Sequence, residues 1–192
     1  MAQPSPDDAY DVLEAQVREC FGRVIYAHKT HQKDGDLCAG TLRNVKLAQI
    51  ILSALTASGV MGLVFTDDIR LKIATAIVSL LTLGLTGYMK GFDPGASSQK
   101  HRDTAADLWA IRETYLSLLT DIRSRAVSLD DGRVKRDELQ GALAAIYKSA
   151  PNTTPKAYAL AQKGLQRDEE YTFNDGEIDK FLPRDHRRAK PA

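Results

Sequence analysis

The chain has little of several things, and each scarcity excludes a class of protein. Two cysteines in 192 residues, Cys20 and Cys38, cannot build a disulfide framework and fit a reducing compartment. There is little net charge: 26 basic side chains face 25 acidic ones, a balance of +1. That argues against a nucleic-acid binder held by charge, since such domains are clearly basic. The first residues, MAQPSPDDAYD, are acidic and lack an apolar core, so no secretory signal is expected there. There is no phosphate-binding glycine loop, no dinucleotide fingerprint, no nucleophile elbow and no zinc-protease pair. No strand pattern and no internal repeat is visible. Charge is also missing locally. Leu47–Phe65 and Ile73–Met89 contain no Asp, Glu, Lys or Arg, so every charge crowds into the rest of the chain at about one residue in three.

Those two spans are what the chain has most distinctively. A bilayer core of about 30 Å needs roughly 20 helical residues. Leu47–Phe65 reaches about 28 Å as a helix, and Ile73–Met89 about 25 Å. Lys46, Lys72 and Lys90 stand at the membrane flanks, where their long stems can snorkel. The short polar link Thr66–Lys72 forces the two helices antiparallel. A buried hairpin inside a soluble core is the competing reading, but the remaining chain has too little apolar surface to wrap it. An even number of spans places both termini on one side. The flanks carry Lys29, Lys33, Arg43, Lys46, Lys90, Lys100 and Arg102 against Arg70 and Lys72 in the link, so the positive-inside rule puts the flanks in the cytoplasm.

The charged parts read as amphipathic helices. Ser5 is the expected N-cap of the first, with Pro6 in its first turn. Tyr10, Leu13, Val17, Cys20, Val24 and Ala27 then recur at alternating three- and four-residue steps, one stripe for a partner helix. Asp34-Gly35 is expected to break this helix, with a second starting near Asp36 and running into the membrane. Phe92-Asp93-Pro94-Gly95 marks a turn. From about Ser97 to Arg125 a long helix carries Ala105, Leu108, Ile111, Tyr115, Leu118, Leu119 and Ile122 at the same spacing and is expected to pack along the first. Further helices are expected near Arg133–Lys148 and from Pro155, capped by Thr154, to about Arg167, with a short turn at Glu177–Leu182. The domain reading is therefore 1–35 N-terminal cytosolic helix, 36–92 transmembrane hairpin, 93–182 C-terminal cytosolic helical region and 183–192 basic disordered tail. The fold class is all-α: a membrane protein with a two-helix transmembrane hairpin and long cytosolic helices in a bundle.

Candidate chemistry is sparse. His28 and His31 stand i, i+3, a spacing a metal could use, but no cysteine or carboxylate joins them one turn away, and a structural or interfacial role is expected. His101 and His186 are isolated in the sequence. Asp130-Asp131-Gly132 with Glu138 faintly resembles a calcium loop, yet Val127 and Leu129 would fill its first and third positions, and Asn174-Asp175-Gly176 fails likewise at Leu182. Both read as turns or caps. Trp109 reads as a packing anchor. No metal, no cofactor and no catalytic residue is expected. The informative residues are uncharged polar ones inside the spans. Gln49, Ser53 and Thr56 fall at i, i+4, i+7, and Thr75, Ser79, Thr82 and Thr86 at i, i+4, i+7, i+11. Each set draws one polar stripe down an apolar helix. Ala54, Ser58 and Gly62 add a ridge of small residues for close helix packing. The stripes either bind helix to helix or, in an assembly of several chains, face water in a pore.

The order of landmarks resembles one family. They are Tyr26-Ala27-His28-Lys29-Thr30-His31 before the hairpin, the hairpin itself, Tyr88-Met89-Lys90-Gly91-Phe92-Asp93 after it, then Leu108-Trp109-Ala110-Ile111-Arg112-Glu113 and Leu118-Leu119-Thr120-Asp121-Ile122. Ile146-Tyr147-Lys148-Ser149-Ala150-Pro151 and the stretch from Thr172-Phe173-Asn174-Asp175 to Phe181-Leu182-Pro183 complete them. In this order they resemble the SLATT family, bacterial two-transmembrane effectors associated with nucleotide-signalling and SLOG-domain conflict systems. The resemblance implies a non-enzymatic inner-membrane effector in antiviral defence, proposed to oligomerise into a pore and cause cell death or growth arrest (abortive infection). It implies a lipid bilayer, further copies of the chain and an upstream nucleotide-signalling or SLOG-type sensor as partners, and no nucleic acid. The alternative is a non-conducting anchor that recruits a signalling partner through its cytosolic helices. Leu80→Arg places a charge mid-span, which insertion scales set at roughly +2.5 to +3.5 kcal/mol. The variant is expected to disappear from the carbonate-resistant membrane fraction while wild type stays in it.

Overall fold

The computed structural model describes residues 6–188. Six α-helices and one short 3-10 turn account for its regular structure, and there is no strand among the described residues. Helix α1, Pro6–Leu63, is 58 residues long, α2 is Ile69–Phe92 and α3 is Pro94–Arg123. Helix α4 is Leu129–Ser149, α5 is Pro155–Gln166 and α6 is Asp175–Phe181, before the 3-10 turn Arg184–His186. The expected cap Ser5 lies outside the described residues.

The apolar stripes find each other. Leu13, Val17 and Val24 of α1 are buried against Leu108, Tyr115, Leu118 and Ile122 of α3, and Leu139 of α4 closes the third side. Tyr10, Cys20, Ala27, Ile111 and Leu119 pack around this core half-buried. Each fully buried Leu or Val here contributes about 1.5–3 kcal/mol of transfer free energy. Helix α3 therefore lies antiparallel along the first half of α1. Its direction is set by the corner at Asp93, which ends α2 and caps α3 at once. Asp93 adopts the left-handed conformation (φ 32°), its N–H donates to the Met89 carbonyl, and its carboxylate accepts from Ala96 N–H at 3.0 Å. Pro94 in the first turn of α3 cannot continue the ladder of α2, because it has no N–H.

Ser128 starts α4 by accepting from Asp131 N–H, so Asp130 and Asp131 are first-turn acids rather than ligands. Tyr10 ties the preceding loop to α1 through its hydroxyl and the Val127 carbonyl, 3.0 Å apart. Thr154 starts α5, accepting from Ala157 N–H with Pro155 next to it.

One expectation fails. Asp34-Gly35 does not break the first helix, which runs through both residues. The turn signal is spent on tertiary contacts. Gly35 is buried where α3 crosses: a Cβ there would lie 3.2 Å from Arg102 Cγ, and its carbonyl accepts from Ser98 Oγ at 2.8 Å. The Asp34 carboxylate points to the start of α5, accepting from Thr154 Oγ1 at 2.6 Å and Thr154 N–H at 2.9 Å. A glycine in a helix costs about 1 kcal/mol relative to alanine, and here close helix contact offsets it.

Above that crossing α1 and α2 form the hairpin. Leu47, Ile50, Leu55, Leu80 and Leu83 are all more than half exposed, so none of the described residues covers the outer face. A soluble core hairpin would be wrapped; this one has the surface of a lipid-facing pair. Both helices are long and apolar enough to cross a membrane.

Asp34 is 2% exposed and holds two donors of another helix. Asp34→Ala strands the Thr154 N–H and is expected to cost roughly 1–3 kcal/mol. Asp36→Ala, one turn edge away and exposed, should stay within about 0.5 kcal/mol. Thermal unfolding of the detergent-solubilised protein followed by circular dichroism separates the two.

Candidate functional site

The polar stripes of the two spans meet inside the hairpin. Gln49 Nε2 donates to Thr86 Oγ1 at 3.2 Å across the seam. Thr56, Thr75, Ser79 and Thr82 are shielded on the facing sides, Thr75 most of all at 9% exposure. Their hydroxyls mostly bond their own helix one turn back: Ser79 to the Thr75 carbonyl, Thr82 to Val78 and Thr86 to Thr82, each at 2.9 Å. Thr56 Oγ1 is buried without a hydrogen-bond partner. Ser53 lies on the exposed side.

The small residues divide. Gly62 faces Leu71, whose Cδ2 would be 3.2 Å from a Cβ at that position. Ala54 and Ser58 are exposed on the outer face, with Ser58 bonded to the Ala54 carbonyl. Of the two glycines that face α2, Gly59 is the tighter: a Cβ there would overlap the Thr75 side chain. Gly59 falls outside the four-residue series read from the sequence. Its signal was its place one turn after Thr56, on the same face. At the flanks, Lys72 pairs with Asp67 of the link, while Lys46 and Lys90 are exposed.

Below the hairpin the structure gathers residues that the sequence scatters. His31 and His101 are both buried, with their Nδ1 atoms 3.0 Å apart. Only one of the two nitrogens can carry a proton if they are to bond. Burial and the facing His101 hold the His31 pKa below its ordinary value against the opposing pull of Asp34, and burial does the same for His101. His28 lies between the Trp109 ring, 5.2 Å away, and the Tyr171 ring, 5.7 Å away. The Tyr171 hydroxyl donates to Gln32 Oε1 at 2.8 Å, so at 3.1 Å it accepts from a protonated His28 Nδ1. Burial, then the Arg112 and Lys29 charges, lower the His28 pKa to about 4. The imidazole is neutral at neutral pH.

Glu170, the neighbour of Tyr171, pairs with Lys29 and, at 3.2 Å, with Lys33. The hydrogen bond from Lys29 is the main reason its carboxyl stays below the usual carboxylate range. Arg112 stacks its guanidinium 4.4 Å from the Trp109 ring centre and 5.4 Å from that of Tyr171. Trp109 thus anchors a contact with a distant segment. His101, isolated in the sequence, is half of a pair. Sequence spacing carried no signal for either, because the partners lie more than 60 residues apart. Among the described residues no three His, Cys, Asp or Glu side chains come together as a metal site.

In comparison with known proteins, the family described as "SMODS and SLOG-associating 2TM effector domain family 4" matches residues 13–177. No curated protein and no solved structure matches the chain.

The His28 pKa gives a sign for pH dependence. Between its ordinary value of 6.5 and about 4, the unfolded chain holds a proton that the packed His28 refuses. Stability therefore falls as pH drops through that window and rises with pH across it. The expected outcome is a melting temperature that declines from neutral pH toward pH 5, with a shallower decline in His28→Asn. Equal slopes in the two proteins would remove His28 as the cause.

Proposed function

The chain belongs to the SMODS and SLOG-associating 2TM effector domain family 4, and from that premise we propose that it is a bacterial inner-membrane effector of a conflict system, which oligomerises into a membrane-disrupting pore. Both termini lie in the cytoplasm in this reading. The helices before 36 and after 92 hold the hairpin inactive until an upstream nucleotide-signalling or SLOG-type sensor acts on them. The outcome is cell death or growth arrest, as in abortive infection.

The observation that carries the reading is the polar seam. Polar groups also join the helices of a plain anchor; what supports the pore is the length of this stripe, four hydroxyls from Thr75 to Thr86 along the second span. Here Gln49, Thr56, Thr75, Ser79 and Thr82 run down the partly shielded sides, Thr86 continues the stripe at its exposed end, and Thr56 Oγ1 is buried without a partner. One hairpin cannot enclose water, so the pore requires several chains whose helices re-pair and turn these stripes toward a shared axis. Ala54 and Ser58, small and outward-facing, offer a surface on which a second chain's helix can approach closely. The seam carries no charge, so strong ion selectivity by a charged ring is not expected within the membrane.

One observation favours the alternative, a non-conducting anchor that recruits a signalling partner. Three of the seam hydroxyls, those of Ser79, Thr82 and Thr86, already donate to carbonyls of their own helix. Dye leakage from liposomes holding the full chain discriminates. Thr82→Val with Thr86→Val keeps shape and removes two hydroxyls. As helix contacts these are worth about 0.6 kcal/mol each, and their loss would leave leakage and toxicity nearly unchanged. As pore lining their loss makes a narrow passage apolar and closes it by dewetting. The pore reading expects leakage and toxicity to collapse while crosslinked oligomers persist, with Leu81→Val and Leu85→Val as the depth-matched control. A stripe variant that leaks like the control would sink it.

A further inference from the structure

Packing alone does not call for the cluster around Glu170. Lys29 is more than nine-tenths buried, a place lysine occupies only when paired. Its ammonium and that of Lys33, one turn on, converge on the two oxygens of a single carboxylate, Glu170. Arg102 of α3 lines an adjoining cavity of about 310 Å³ together with Lys29, Lys33, Gln32 and Asp36. Asp36 stands 3.5 Å from Arg102. Three cations thus face two carboxylates, and only Asp36 belongs to the helices that form the notch.

The other carboxylate is delivered from outside. Glu170 follows α5 on a corner whose preceding residue, Glu169, adopts the left-handed conformation (φ 48°) that a glutamate rarely takes. Two backbone bonds fold the corner: Glu170 N–H to the Gly164 carbonyl at 3.0 Å and Thr172 N–H to the Glu169 carbonyl at 2.9 Å. Gly164 is buried, and a Cβ there would lie 2.8 Å from Glu170 Oε1. Helix α5 goes without a side chain at the one place where the carboxylate needs the room. The Glu170 side chain is still about one-third exposed, so solvent reaches it. A buried lysine that needs an anion, a seat cleared for one and a plug on a strained corner together describe an anion site filled by the chain itself.

We propose that this notch binds a phosphoryl-class anion through Lys29, Lys33 and Arg102, and that Glu170 mimics and blocks that anion in the resting chain. With Glu170 displaced, three cations face Asp36 alone, an excess that a phosphate dianion neutralises. Displacement turns the corner about Glu169 and takes Tyr171 off Gln32, His28 and Trp109. The anion is soluble rather than a lipid headgroup. Lys33 lies about 21 Å along α1 from the first residue of the span, beyond the headgroup layer. The inference deepens the effector reading by naming where a chemical signal enters. It depends on that reading for the consequence and not for the binding.

Trp109 is the sole tryptophan, and its ring is 6.0 Å from that of Tyr171, so its emission reports the corner. Full-length protein in phosphatidylcholine nanodiscs is titrated with inorganic phosphate at constant ionic strength set by sodium chloride. A saturable emission change is expected, tightened at least about tenfold in Glu170→Gln and weakened at least about tenfold in Lys33→Ala with Arg102→Ala. Gly164→Ala pushes the carboxylate from its seat without altering charge and is expected to tighten binding as well, which keeps the test available if Glu170→Gln folds poorly. The proposal is overturned if neither variant binds phosphate more tightly than wild type, or if chloride alone reproduces the change. A response only to phosphatidylglycerol in the nanodiscs would overturn the soluble source. Phosphate binding without any effect on liposome leakage would leave the notch standing and count against the pore. Leakage with phosphate binding indifferent to Glu170 would do the reverse.

Discussion

An uninterrupted ladder of backbone hydrogen bonds from Pro6 to Leu63 is the constraint on which the other parts depend. Its lower half supplies the stripe against which α3 and α4 bury their apolar residues. Its middle supplies Asp34, which holds the capping residue Thr154 of α5, and Lys29 and Lys33, which hold the corner after it. Its upper half is one wall of the membrane hairpin. A helix bends at little cost only where the ladder is interrupted, as at proline or a bulge, and α1 has no proline after its first residue. The lower half is therefore continuous with the membrane half through one unbroken helix.

Much of this was legible because the sequence repeats its apolar residues at helical spacing. Leu13, Val17 and Val24 and, in α3, Leu108, Tyr115, Leu118 and Ile122 were readable as facing stripes, and they form the core. The two uncharged spans were readable from length alone. What local spacing could not convey was how polar residues would be used across long separations. Asp34-Gly35 carries a strong turn signal, and nothing nearby reveals that Thr154 and Ser98 will claim it. The His31–His101 pair and the seat of Glu170 on Lys29 are likewise products of the fold, invisible before α3 and α5 are set beside α1. Within the hairpin the polar stripes were visible as stripes. Their facing partner was not, nor was the close fit of Gly59 against Thr75.

The distribution of polar groups follows one physical logic in both halves. In lipid, a hydroxyl can return its hydrogen bond to its own helix at little cost, and the seam does so. Below the hairpin, exposed charges such as Arg18 and Arg23 pair within their own helix, but the buried Lys29 and Asp34 find partners on other segments. The charged groups thereby tie segments together, and the uncharged ones leave helices free to change neighbours.

Asp93 adds a mechanical asymmetry. The descending strand of the molecule, α2 followed by α3, turns at a single left-handed residue with proline behind it, whereas the ascending strand has no such joint. The molecule is a pair of callipers with one solid arm and one hinged arm. In the proposed pore, opening would swing α2 as a flap against a fixed post, and the gap between chains would widen by one helix per subunit rather than by tilting both.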